Sequence, residues 1–185
     1  MTPLVLDRVA CVRGQRLLFE DLSLTLTSGG AALVTGPNGV GKSSLLRIAA
    51  GLLRPAAGSV SAAAVALADG RAALDPELPL AHALAFWGAT DTTVLDEFGL
   101  GSLAEVPVRF LSTGQRQRAA LARVAMDASA LWLLDEPANG LDTAATAVLE
   151  RHIAQHRARG GAVMVVTHIP VALPGAQAVA LGLPG

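Results

Sequence analysis

A glycine-rich loop, set between an apolar run and a segment with helical spacing, constrains this chain more than any other feature of its sequence. Residues 31–35 are typical of a short buried strand, and residues 43–53 carry apolar side chains at helical spacing. The loop between them fits the pattern G-x-x-x-x-G-K-[ST]. This pattern predicts a strand, a loop and a helix in which backbone amides turn inward around an anion. The alternative is an ordinary glycine turn before a helix. Such a turn would not need the second glycine, the lysine and the serine of the pattern.

The same loop has the residue types that hold a nucleoside triphosphate. The Lys42 ammonium would reach the β and γ phosphates, which makes it a candidate catalytic residue as well as a binding residue, and the Ser43 hydroxyl would hold Mg²⁺. The nucleotide-binding residues predicted in this segment are Gly36, Pro37, Asn38, Gly39, Val40, Gly41, Lys42, Ser43 and Ser44.

A second motif consists of four apolar residues, 131–134, followed by Asp135 and Glu136. In a doubly wound sheet, ligands bind at the carboxyl ends of the strands, so these acids should face the glycine-rich loop. Asp135 would hold Mg²⁺ through water, and Glu136 would be the base that orients and activates the attacking water. Without the glycine-rich loop, a buried strand ending in solvated acids would be an equally good interpretation.

A third motif indicates the class of nucleotide-binding protein. Residues 111–115 read Leu-Ser-Thr-Gly-Gln. This segment resembles L-S-G-G-Q, the signature motif of ABC ATPases, in which the motif contacts ATP held by the opposite subunit. The resemblance implies that Ser112, Gly114 and Gln115 bind nucleotide in this way. Ser112 is also a good helix N-cap, so an ordinary capped helix is the alternative.

Two shorter elements agree with the resemblance. Residues 140–142 resemble the D-loop of ABC ATPases, which implies a nucleotide-binding role for Asp142. His168 follows an apolar run and resembles the switch histidine, which implies a catalytic contact with the γ-phosphate. We interpret His82, His152 and His156 as helix-surface residues.

Two features of ABC ATPases are missing. The aromatic residue that stacks on adenine has no counterpart before Gly14. Either the planar guanidinium of Arg13 takes its place, or the base is held loosely. The glutamine expected after the strand that follows the first helix is also absent, and both Asp69 and Arg71 are candidates for its position.

The predicted fold is α/β, a P-loop NTPase of the ABC ATPase type. Its mostly parallel sheet has flanking helices, an N-terminal antiparallel β part and a small helical subdomain. We expect one ABC ATP-binding domain over residues 1–185, with the helical subdomain at about 76–127. Apolar patterns predict strands at 4–6, 9–12, 22–26, 31–35, 60–67, 130–134 and 162–167, and helices at 43–53, 79–87, 92–100, 113–127 and 143–159.

Composition limits the partners. The net charge is −1, whereas a protein that binds a phosphate backbone usually has a basic surplus, so we expect no nucleic acid. Cys11 is the single cysteine, so no internal disulfide forms. No apolar run reaches the roughly 18 to 20 residues of a membrane-spanning helix. We expect a cytoplasmic protein without a membrane span, peripheral on the inner face of the cell membrane.

Several stretches, among them 17–24, 111–123 and 159–162, are similar to the cytochrome c maturation, or haem-exporter, ATP-binding subunits. This resemblance implies a second ATP-binding subunit, as a homodimer, and an integral-membrane permease subunit, with ATP and Mg²⁺ as cofactors. Alternatives are the ATPase of another small ABC transporter, a nucleotide-binding module with little hydrolysis, and a P-loop nucleotide kinase. A kinase has no need for the motif at 111–115.

Overall fold

The computed structural model describes residues 2–70 and 74–182. Its strands are β1 (Leu4–Arg13), β2 (Arg16–Leu26), β3 (Ala31–Thr35), β4 (Ala57–Ala62), β5 (Val65–Ala68), β6 (Leu131–Asp135), β7 (Ala162–Val166) and β8 (Gln177–Ala180). Its α-helices are α1 (Lys42–Ala49), α2 (Leu80–Ala85), α3 (Thr92–Glu97), α4 (Thr113–Met126) and α5 (Thr143–Ala158). Short 3₁₀ turns occupy Gly101–Leu103 and Val108–Phe110.

A five-stranded parallel sheet forms the centre of the fold, in the order β5-β6-β7-β3-β8. Every residue of β7 and the first four residues of β6 are buried, as expected for strands covered on both faces. Because the strands are parallel, their carboxyl ends meet at one edge. The glycine-rich loop, Asp69 and His168 follow strands at that edge, and Asp135 is the last residue of β6. The topology thus brings separated parts of the sequence together.

An antiparallel sheet in the order β2-β1-β4 packs beside the first helix, which confirms the predicted antiparallel part. Leu4, Leu6 and Leu26 from this sheet share one apolar cluster with Leu45 and Leu46 of α1. The antiparallel sheet therefore supports the helix that begins at the glycine-rich loop.

Several predictions about individual elements were wrong in detail. The strands expected at 4–6 and 9–12 form one strand, β1, in which the pairing register shifts between Leu6 and Val9 without ending the strand. The strand expected at 60–67 is two strands, β4 in the antiparallel sheet and β5 in the parallel sheet, because the chain changes sheets at residues 63–64. The helix expected to run to Leu53 ends at Ala49. The edge strand β8 was not predicted, since it is only four residues long and its residues are mostly exposed.

The stretch assigned to a helical subdomain contains α2, α3, both 3₁₀ turns and α4. The Arg118 guanidinium of α4 donates to the Phe98 carbonyl at 3.0 Å, which joins α4 to the segment after α3. The division of the chain into a domain and a subdomain stays a prediction.

The prediction that His152 and His156 lie on the helix surface was wrong. The His152 ring stacks on Phe98 with centroids 5.3 Å apart, and the His156 ring stacks on Trp132 at 3.9 Å. Both histidines lie on the side of α5 that packs against the rest of the protein. His82 is exposed, as predicted. Within residues 2–70 and 74–182, no helix is long and apolar enough to cross a membrane.

Candidate functional site

The glycine-rich loop depends on two glycines whose positive φ angles would strain any other residue. Gly36 has φ +146°, and a Cβ there would lie 2.3 Å from the Leu181 carbonyl oxygen that follows β8. Gly41 has φ +112°, and a Cβ there would lie 3.0 Å from the Phe19 ring. Gly41 is the N-cap of α1 and gives the helix no side-chain cap, which leaves the first amides of α1 to other acceptors. This arrangement suits an anion at the helix N-terminus.

Lys42 lies inside the loop. Its side chain is nearly buried, with 8% of the residue exposed, and Nζ donates to the Gly36 carbonyl at 2.7 Å and the Pro37 carbonyl at 3.0 Å. The loop therefore closes around its own ammonium group. A phosphate that entered the loop would find this positive charge already in place.

Ser43 and Asp135 meet across the site, since the Ser43 hydroxyl hydrogen-bonds the Asp135 carboxylate. Burial raises the pKa of Asp135, the Ser43 hydrogen bond lowers it, and the nearby charges of Glu136 and Asp69 raise it further. A partly buried carboxylate whose charge is disfavoured gains from a cation, and Mg²⁺ prefers oxygen ligands such as these two side chains. The residues present therefore fit the predicted magnesium position.

Glu136 directly follows β6 with φ +48°, a strained conformation for a residue other than glycine. Its backbone N–H donates to the Val166 carbonyl at 2.7 Å, which ties it to the end of β7. Sequence reasoning missed Gln117 of α4, whose amide donates to the Pro137 carbonyl at 3.3 Å. Its position two residues after the predicted signature motif was the only signal for this contact.

His168 holds the side chain of Glu136 from the neighbouring strand end. Its Nδ1 lies 2.8 Å from Glu136 Oε1, and its backbone N–H donates to Oε2 at 3.2 Å. The Glu136 side chain is 24% exposed and that of His168 is 62% exposed. The two predicted catalytic residues therefore form a pair that both solvent and substrate could reach.

A cleft of about 530 Å³ brings most of the predicted site residues together. Its lining includes Arg13 and Leu18 from the antiparallel sheet, as well as Asn38, Gly39, Gly41, Lys42, Ser43, Ser44, Asp135 and Glu136. Ser44 also hydrogen-bonds the buried Cys11 thiol. Leu18 was not predicted. Gly36 and Pro37 contribute carbonyls to Lys42, and the fully buried Val40 packs beneath the loop.

Asp69 lies at the same sheet edge, directly after β5. Arg47 of α1 binds its carboxylate, with Nη2 at 3.2 Å and Nε at 3.3 Å from Oδ2. Arg47 was not predicted, although its place one helical turn after Ser43 gives it the same helix face. Arg71, the other candidate for the missing glutamine, lies outside the described residues.

The predicted signature motif lies apart from this cleft, at the start of α4. The Ser112 hydroxyl accepts the Gln115 backbone N–H at 3.2 Å, and the Gln115 side chain accepts the Ser112 N–H at 2.7 Å. This reciprocal capping box stabilises the helix N-terminus. The expectation that Ser112 caps a helix is therefore confirmed. A nucleotide role for Ser112, Gly114 and Gln115 stays a prediction.

Asp142 is also a helix cap in this structure. Its carboxylate accepts the Ala145 N–H at 2.7 Å and begins α5. The preceding Gly140 carbonyl lies close to Gly114, 3.6 Å from the position a Cβ would take there. The two short motifs are therefore neighbours on one surface, and neither Asp142 nor Gly114 lines the cleft.

Comparisons with known proteins show the family of the chain. The profile of the ABC transporter family matches residues 19–139, more than half of the chain. A protein of Sphingopyxis alaskensis named cytochrome c biogenesis ATP-binding export protein CcmA is 55% identical over 188 residues, covering 97% of each chain. A protein of the same name from Novosphingobium aromaticivorans is 52% identical over 181 residues, covering 96% of this chain and 95% of that protein.

Solved structures show the same fold. An ATP-binding subunit of an ABC transporter matches with a TM-score of 0.84 at 22% identity, over 91% of this chain and 80% of that one. A metal-chelate type ABC transporter in an inward-facing conformation matches with a TM-score of 0.81 at 24% identity, over 99% of this chain and 81% of that one. On the family match, the identity of these relatives and the shared fold, the chain belongs to the ABC transporter family as an ATPase subunit.

Proposed function

We propose that the chain binds ATP with Mg²⁺ in the cleft beside the glycine-rich loop and hydrolyses it there. The observation that carries this proposal is that Lys42, Ser43, Asp135 and Glu136 line one cleft. Lys42 would bind the β and γ phosphates, and Ser43 and Asp135 would hold the metal ion. When bound, Mg²⁺ neutralises charge that develops on the phosphate oxygens.

Glu136 would orient the attacking water and accept its proton. His168 holds the Glu136 carboxylate through two contacts, so the base is positioned before substrate arrives. With nucleotide bound, the exposed His168 ring could reach the γ-phosphate from the same position. The strained backbone conformation of Glu136 would then serve to place its carboxylate at the reacting water.

A second ATP-binding subunit completes the site in this proposal. Ser112 and Gly114 lie outside their own cleft, on the surface they share with Gly140. The N-terminus of α4, a helix of 14 residues, carries a positive potential that suits an anion. It lies apart from the cleft of its own chain, so it would act on the nucleotide of another chain. A homodimer with ATP between the P-loop of one copy and Ser112 of the other would use both surfaces.

An integral-membrane permease subunit would dock on an exposed aromatic pair. Phe86 is 81% exposed and Trp87 is 44% exposed, with ring centroids 5.6 Å apart. The buried Arg123 lies 4.8 Å from the centre of the Trp87 ring and donates to the Leu67 carbonyl of β5. The docking surface would thereby connect to the strand that ends at Asp69. With a permease subunit docked there, the protein would lie on the inner face of the cell membrane.

The relatives named for cytochrome c biogenesis and export support the cellular role. We propose that this chain supplies ATP-derived energy to membrane subunits that handle haem during cytochrome c maturation. The identity of 55% over 97% of both chains supports the same task for both proteins.

Deletion and complementation test this role. Removing the gene should abolish covalent haem attachment to c-type cytochromes while b-type cytochromes persist, as measured by haem staining and difference spectra. The wild-type gene should restore attachment, and Glu136→Gln should not. Persistence of c-type cytochromes in the deletion strain would contradict the cytochrome role and leave the ATPase proposal intact.

A steady-state ATPase assay with and without the membrane partner tests docking. We expect a low intrinsic rate that rises with the partner, and we expect Phe86→Ala to lose most of the rise. Leu52→Ala is the matched control, because Leu52 is 67% exposed and follows α1, whereas Phe86 follows α2. Equal stimulation of the Phe86 variant and the wild type would reject the aromatic pair as the docking surface.

A further inference from the structure

The position of Asp69 follows from strand register. Ala68 of β5 pairs with Leu134 of β6, and the next residues along the two parallel strands are Asp69 and Asp135. The two carboxylates are therefore neighbours at the carboxyl edge of the sheet, and their charges interact. Since Asp135 lines the nucleotide cleft, the charge of Asp69 acts on whatever binds at the Asp135 end, or inner end, of the cleft.

Arg47 offsets part of that charge. Its guanidinium binds Asp69 through Nη2 and Nε, and the side chains of Arg47 and Asp69 are only 27% and 12% exposed. Arg47 also interacts with Asp135, so it faces both acids from α1. Because both groups of this ion pair are largely shielded from water, the pair should influence the site more than a surface ion pair would.

The charges at the inner end of the cleft discriminate between forms of nucleotide. Asp69, Asp135 and Glu136 are negative and would repel the γ-phosphate of a bare triphosphate. The same carboxylates attract a triphosphate that carries a divalent cation. Asp69 adds to this preference, whereas Arg47 reduces it by shielding Asp69.

We propose that Asp69 makes the site bind metal-complexed nucleotide in preference to metal-free nucleotide, and that the ion pair with Arg47 limits the size of this preference. This inference rests on the proposed nucleotide site. Asp69 acts here as a specificity-determining residue, and its effect should appear in binding without any turnover.

The test uses the full chain and a non-hydrolysable ATP analogue, adenylyl imidodiphosphate, with affinity measured by calorimetry in excess Mg²⁺ and in excess EDTA. The readout is the ratio of the affinity in Mg²⁺ to the affinity in EDTA. Asp69→Asn should tighten metal-free binding by about fivefold and should not tighten binding of the metal complex, so this ratio falls. Arg47→Gln should raise that ratio by about the same factor. The opposite signs separate this role from general damage to the fold.

Asp7→Asn is the matched control. Asp7 pairs with Arg8 at 3.6 Å on the surface, and it lies six residues, about 20 Å, from Arg13 along β1. Its ratio should equal that of the wild type.

An unchanged ratio in both Asp69→Asn and Arg47→Gln, or an equal loss of affinity in both conditions, would overturn the inference. If Asp69→Asn does not fold, Arg47→Gln decides alone. Wild-type protein that binds the analogue in neither condition would instead refute the proposed nucleotide site.

Discussion

His168 contacts the Glu136 carboxylate with both its imidazole ring and its backbone N–H. Nδ1 lies 2.8 Å from one carboxylate oxygen, and the backbone N–H donates to the other at 3.2 Å. When the Glu136 carboxylate is ionised it only accepts hydrogen bonds, and His168 then donates from Nδ1. One residue therefore restrains the rotation of the predicted base about its terminal bond.

Removing the His168 ring should slow hydrolysis without weakening nucleotide binding. We expect His168→Ala to lower kcat by about tenfold to a hundredfold, because the carboxylate loses one of the two contacts that orient it, while KM for ATP changes little. His168→Asn can still place a side-chain N–H near Oε1 and should retain more activity. His82→Ala, at an exposed histidine, should behave like the wild type; a similar loss there would contradict a specific role for His168.

Lys42→Ala should weaken ATP binding. The variant loses the ammonium group that lies inside the loop, and charged hydrogen bonds of this kind contribute roughly 1.5 to 3 kcal/mol, about ten- to a hundredfold in affinity. Titration calorimetry with Mg-ATP measures the effect. Arg54→Ala removes an exposed cation after α1 and should bind ATP normally. Full ATP affinity in the Lys42 variant would rule out the loop as the phosphate site.

Glu136→Gln should trap a nucleotide-bound dimer. The substitution keeps the side-chain shape and removes the base, which is worth about 10² to 10⁴ in rate. If ATP joins two chains and hydrolysis separates them, this variant accumulates as a dimer in Mg-ATP. Analytical ultracentrifugation should show that dimer, and adding Lys42→Ala should return the protein to monomer. A variant that stays monomeric in saturating Mg-ATP would count against a dimer with ATP bound between the two chains.

Arg13 should contribute to affinity for the base more than for the phosphates. It lines the cleft with Leu18, and its guanidinium can lie flat on an adenine ring. We expect Arg13→Ala to weaken ATP binding by about three- to tenfold and inorganic triphosphate binding by less, whereas Arg13→Tyr, which restores a stacking ring, should bind ATP at least as well as the wild type. Equal losses for ATP and triphosphate in Arg13→Ala would point to a charge effect instead.

His156 should make the fold less stable in acid. Burial lowers the pKa of His156; Arg159 acts in the same direction, while the Ala162 carbonyl and Asp127 act against it. A folded pKa below the unfolded value means that the unfolded chain binds the proton more tightly, so stability falls as pH drops through about 6.5 toward the folded pKa. The Tm of the wild type should therefore fall between about pH 7.5 and about pH 5.5.

The variant His156→Phe keeps a ring against Trp132 and cannot take up a proton. Its Tm should change less than that of the wild type over the same interval, as measured by thermal unfolding without nucleotide. His82→Phe changes an exposed histidine and should retain the wild-type pH dependence. If His156→Phe loses as much stability in acid as the wild type, another group is responsible.

Local patterns were sufficient for the parts of the site that are continuous in sequence. The glycine-rich loop, the acids after 131–134 and the helix cap at Ser112 each have their residues within a few positions, so spacing alone predicts their conformations. The resemblance to ABC ATPases then related these segments to one another, and the family match confirms it. The alternation of buried strands and helices was likewise enough to predict the parallel sheet.

Contacts between distant segments depended on the tertiary structure. The ion pair of Arg47 with Asp69 and the stacking of His156 on Trp132 join residues on different elements, and no spacing rule links them. Likewise, the division between β4 and β5 depends on which sheet each strand joins, because a run of alanine and valine suits either. The sequence by itself thus determined which local segments form and what chemistry they carry. Packing decided which charges and rings meet, since side-chain burial and pairing are properties of the whole fold.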